Sequence, residues 1–140
     1  MHMVEVPMYR ANGTRVELVD LLAQVPANDW VWSVLEFDGV GQMPSGQSLS
    51  EFQERLLEQH RGLIQTWNEI WKFAEALDYT IDCLVVAVSR VEQLEVDQLM
   101  EDDFQQCEFA FRAIDSTVWI LAASDSTLLS NVESAAHDSR

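Results

Sequence analysis

The chain has 140 residues, 48% hydrophobic and 23% charged, a globular composition long enough for one core and far from the apolar-poor signature of disorder. Against 24 acidic residues stand 8 basic ones, Lys72 being the only lysine, for a formal net charge of -16. That charge argues against nucleic acid and anionic membrane surfaces as partners. No apolar run approaches the roughly 20 residues of a membrane span and no leader pattern opens the chain, so a cytoplasmic protein is expected.

Met1 and His2, ahead of a second methionine at Met3, read as a cloning remnant without functional weight. Val4 to Tyr9 predicts a short strand, and Asn12-Gly13 then turns the chain. Thr14 and Glu17 have the capping-box spacing of a helix running to about Gln24, with Val16, Leu18, Val19, Leu21 and Leu22 as its apolar residues and Pro26 as its stop. Trp30 to Phe37 is apolar at nearly every position, which predicts a central strand covered on both faces. A loop follows through Gly39, Gly41, Pro44 and Gly46. Ser48 and Glu51 repeat the capping-box spacing, and Phe52, Leu56, Leu63, Trp67, Ile70, Ala74 and Leu77 recur at helical intervals over residues 49–77. Gly62, with a fresh cap at Thr66 and Glu69, leaves open whether one helix runs here or two.

Thr80 to Ser89 predicts a second central strand, and Val91 to Met100 a short acidic helix turned inward at Val91, Leu94 and Leu99. Gln106 to Ile114 alternates, with Cys107, Phe109, Phe111 and Ala113 on one face and Gln106, Glu108 and Arg112 on the other. Asp115-Ser116 turns this strand into a partner over Thr117 to Ala123. Ser124 or Ser126 is placed to cap a last helix through Leu128, Leu129 and Val132, with a frayed tail from His137 to Arg140. The order fits a single α+β domain, an antiparallel or mixed sheet of about four strands with helices packed mainly on one face.

Cys83 and Cys107 fit neither a metal knuckle nor a disulfide framework and are read as buried thiols. Trp30 with Trp32 and Trp67 with Trp71 have the spacing of core residues on one strand face and one helix face. Residues 41–48 show the Gly-x-x-x-x-Gly spacing of a phosphate loop, but Gln47 stands where the loop needs lysine and Pro44 removes a backbone donor. Gly39-x-Gly41 fails as a dinucleotide fingerprint because Pro44 holds the third glycine position. Glu36 and Asp38, two apart at a strand end, share a face as an acid/base or metal pair requires, with no third ligand beside them. His60 and His137 carry no neighbouring nucleophile or ligand pattern, so no catalytic residue, metal or cofactor is expected.

The acid itself remains. Between Arg90 and Arg112 lie seven acidic residues and no basic one: Glu92, Glu95, Asp97, Glu101, Asp102, Asp103 and Glu108. A charge run is commonly a solvated face, yet a run without internal counter-charge repels itself, and a basic partner relieves that repulsion.

The string from Trp32 to Gly41, the helix opening Ser48-Leu49-Ser50-Glu51-Phe52, the segment Gly62 to Ile70 and the hairpin from Ala113 to Trp119 resemble small acidic immunity proteins of bacterial polymorphic toxin systems. The resemblance implies a protein that binds a cognate toxin inside the producing cell and blocks it, often by covering a basic nuclease or other active site. It transfers no binding residues, because immunity contacts vary with each toxin. The expectation is therefore a non-enzymatic immunity protein for a basic toxin domain, with the seven acids from Glu92 to Glu108 as the partner-binding residues. Two other readings stand beside it: a small-molecule-binding domain or enzyme using residues 39–48 with Glu36 and Asp38, and an oligomeric scaffold. A homodimer is left open.

Overall fold

The computed structural model describes residues 1–137. Its sheet has six strands, all antiparallel, in the order β1-β6-β5-β4-β2-β3, formed by β1 (His2–Pro7), β2 (Val31–Gly41), β3 (Leu63–Gln65), β4 (Leu77–Val88), β5 (Phe109–Ile114) and β6 (Val118–Ala123). The helices are α1 (Leu18–Leu22), α2 (Leu49–Glu58), α3 (Trp67–Glu75), α4 (Val96–Met100) and α5 (Ser126–His137), with 3-10 turns at Pro44–Gly46 and Val91–Gln93. The α+β class stands as expected, with six strands in place of about four. No helix among the described residues is long and apolar enough to cross a membrane.

Two apolar layers lie on opposite faces of the sheet. The larger buries Trp32, Val34 and Phe37 of β2, Cys83, Val85 and Ala87 of β4, and Phe109, Phe111 and Ala113 of β5 beneath α1, α2, α3 and α5. Alternate residues Leu84, Val86 and Val88 of β4, with Ala110 and Ala122, point the other way and are covered by Leu94, Leu99, Phe104 and Cys107 from the segment that joins β4 to β5. Strand β4 is thus apolar on both sides because both sides are roofed. The tryptophans belong to the larger layer: Trp32 lies 5.4 Å from Trp67 and 6.3 Å from Trp30, ring centre to ring centre, and the Trp119 indole donates to the Val16 carbonyl at 2.8 Å.

Several local expectations change. The apolar period through residues 49–77 is broken into α2, β3 and α3, with Ser48 and Thr66 each accepting from the backbone N–H three residues on, from Glu51 and Glu69. Thr14 caps nothing; its N–H and hydroxyl both donate to Asn12 Oδ1 in a turn that closes a Tyr9–Arg15 bridge, and α1 starts later, where Asp20 accepts from the Glu17 N–H at 2.9 Å. Asp125, in place of Ser124 or Ser126, caps α5 by accepting from Thr127 and Leu128. Cys107 precedes β5 and faces the smaller layer, away from Phe109. His2, set aside as part of a cloning remnant, pairs with Ala123 in β1; His137 closes α5, and residues 138–140 of the expected frayed tail lie outside the described residues.

Candidate functional site

The acidic run is the roof of the smaller layer. Its apolar residues Leu94, Leu99, Phe104 and Cys107 are almost fully buried, which pins the backbone, while Glu92, Glu95, Asp97, Glu101 and Asp103 stay exposed. Helix α4 ends in a Schellman motif: the Asp103 N–H bonds the Gln98 carbonyl at 2.9 Å, the Asp102 N–H bonds Leu99 at 3.0 Å, and Asp102 takes φ 64. The left-handed residue at such a position is ordinarily glycine. Here its side chain explains the choice. Asp102 accepts from Arg112 Nε, and the same guanidinium reaches Glu36 at 3.4 Å and the Met100 carbonyl at 3.1 Å.

Arg112 therefore ties the end of α4 to β5 and β2 in one hub, with its side chain only 13% exposed. Asp102, expected among the free partner-binding acids, is the one carboxylate of the run that an arginine neutralises among the described residues. Glu108 also departs from the exposed set: it directly precedes β5, is half-buried, and accepts from the Ser124 hydroxyl at 2.9 Å. Asp103 and Glu108 both act on the Cys107 thiol, whose pKa is pushed up to about 12 by burial first and by these two negative charges second. Cys83 is likewise raised by burial, so both thiols are held neutral.

Other cations are also committed. Arg15 lies between Tyr9 and Tyr79, 5.1 Å from each ring centre, and pairs with Glu17 at 3.0 Å; Arg10 reaches Asp20 at 3.6 Å. Burial raises the Glu17 pKa above its ordinary value, against the opposing pull of Arg15. Among the described residues the ion pairs of Arg10, Arg15 and Arg112 go to the partly covered acids Asp20, Glu17, Glu36 and Asp102, and none reaches an exposed acid of the roof.

Glu36 and Asp38 do share a face, because β2 pairs regularly from Glu36↔Leu84 to Asp38↔Asp82. Yet Glu36 is bound to Arg112, and Asp38 faces a second carboxylate, Asp82, which accepts from the Asp115 N–H at 2.9 Å. Gly39 and Gly41, expected in a loop, are the end of β2, paired with Thr80 and Leu77, and the loop proper starts at Gln42. A Cβ on Gly41 would stand 2.6 Å from the Ala76 carbonyl and Leu77, and Met43 inserts into the larger layer. Gln47, in place of a phosphate-binding lysine, accepts from Arg55 at 3.3 Å. A pocket of about 290 Å³ does open beside this loop, but Gln42, Met43, Pro44, Gln65 and Lys72 line it, not Glu36 or Asp38. Among the described residues no three His, Cys, Asp or Glu side chains converge as metal ligands.

No protein-family model matches the sequence, and neither a curated protein nor a solved structure matches it significantly. The functional reading rests on these residues alone.

Proposed function

We propose that the chain is an immunity-type binding protein that neutralises a cognate, basic toxin by docking it against the acidic roof of the sheet. One observation carries this reading: the exposed carboxylates Glu92, Glu95, Asp97, Glu101 and Asp103 sit on a backbone anchored by buried apolar residues and by Arg112. A rigid display of like charge steers a basic protein to its site and loses little ordering entropy when the complex forms. The net charge of -16 extends the same attraction over the whole molecule. Co-expression with the product of the adjacent upstream gene tests the proposal. A one-to-one complex that restores growth of cells poisoned by that product supports it, and separate elution of the two proteins at low ionic strength, with growth still arrested, contradicts it.

A further inference from the structure

Strand β3 covers only Trp32 to Val34 of β2, and α2 runs beside the remainder, where the Gln53 amide donates to the Phe37 carbonyl at 3.1 Å. At the junction β2 carries a bulge between Val34 and Glu36. Leu35 faces the smaller layer by alternation with Val34, and the extra residue keeps Glu36, paired with Leu84, on that same face, so that Phe37 resumes packing in the larger one. Between α2 and α4 this leaves two adjoining hollows, of about 430 and 560 Å³, that share a floor of Leu35, Leu56, Leu57 and Met100. Leu57 is 88% exposed and Met100 44%, so the shared floor meets water through two large apolar side chains. One hollow carries Asp38 and Asp82, with Glu36 already paired to Arg112; the other carries Glu95 and Asp97 beside His60. Among the described residues no lysine or arginine lines either.

We infer that this groove seats a basic polypeptide segment of the partner, with one apolar side chain on the Leu57 and Met100 floor and a lysine or arginine in each flanking hollow. The charge pattern selects that occupant. A second copy of this acidic chain would be repelled, and a purely apolar peptide would leave Asp38 and Asp82 on one side of the floor, and Glu95 and Asp97 on the other, desolvated without a cation. The inference rests on the reading of the chain as a binder of a basic protein, and it adds where contact is made and by what residue pattern. The apolar contact would govern the lifetime of the complex, whereas the surrounding charge governs encounter.

The test uses methyl-labelled full-length protein and a capped peptide in which a central leucine is flanked on each side by two lysines, compared with the same peptide carrying serine for leucine. Saturable shifts centred on the Leu57 and Met100 methyls are expected, with the serine peptide binding at least fivefold more weakly. Leu57→Ser should abolish that preference without moving the melting temperature, since the side chain is almost wholly exposed. Equal affinity for the two peptides, or shifts that spread over the acidic surface and spare Leu57 and Met100, would overturn the groove. The reading of a charge-steered binder fails separately, if its association rate with the toxin does not respond to the roof charges.

Discussion

Asp102 joins backbone strain to an ion pair in one residue. A left-handed conformation costs an L-residue about 1–2 kcal/mol, and here the Arg112 bond offsets it by fixing the end of α4. Asp102→Ala keeps the strain and leaves the covered Arg112 guanidinium short of a partner, so it should destabilise by about 2 kcal/mol. Asp102→Gly loses the same partner but relaxes the backbone, and it should lie about 1 kcal/mol above the alanine variant in urea denaturation. Equal stability of the two variants would show that the left-handed turn stores no strain. Two glutamates make opposite contributions to pH dependence. Burial raises Glu17, so the folded state holds its proton to higher pH than the unfolded chain, and stability grows as pH falls toward the ordinary glutamate value of about 4.3. Glu51 is lowered by its bonds to the Ser48 backbone and side chain; its contribution is complete above that value and is lost as pH falls below it. Denaturation midpoints measured from about pH 6 to pH 3 should show Glu17→Gln removing the rise and Ser48→Ala removing part of the later fall. Unchanged profiles would contradict both assignments.

At the level of elements, what was readable from sequence depended on whether a feature was local. The capping boxes at Ser48 and Thr66, the alternation of Phe109 and Phe111, and the Asp115-Ser116 turn, with φ 48 and 56, all arise from neighbouring residues, and all were legible. Strand β3 was not, because Leu63 and Trp67 continue the helical period of α2 and only pairing with Trp32 to Val34 makes the segment extended. Gly62 is the device that permits this break. It takes φ 71, and a Cβ there would stand 2.5 Å from Ser33 Oγ and 2.6 Å from the Val34 carbonyl, against a central strand that cannot retreat. Gly62→Ala should therefore cost about 2 kcal/mol or more, while Gly13→Ala, at φ 86 with open space around it, should cost only about 1 kcal/mol. Similar losses for the two in thermal melts would mean that β2 yields to the added methyl. The bulge at Leu35 was equally hidden, since Trp30 to Phe37 is apolar enough to mask a change of face, and with it the placing of Glu36 beside Leu35 on the smaller-layer side.

At the scale of the whole molecule, charge was legible because it is a property of composition, whereas its neutralisation was not. The run from Glu92 to Glu108 could be counted, but that Asp102 and Glu36 meet at Arg112 follows only from the order of β2, β4 and β5 in the sheet. The structure thus divides the acids into those paired with Arg112 and those left exposed. The most direct test of that division is the association rate with the product of the adjacent upstream gene, the partner proposed above, measured by stopped flow at two ionic strengths. The comparison is between the parent and a variant carrying Gln or Asn at Glu95, Asp97, Glu101 and Asp103, with Asp102 left intact to preserve the Arg112 hub. The account predicts a folded variant that associates roughly tenfold more slowly and with a flatter salt dependence, because exposed charges act on encounter. A folded variant that associates as fast as the parent, with the same salt slope, would contradict it and assign the roof to solvent alone.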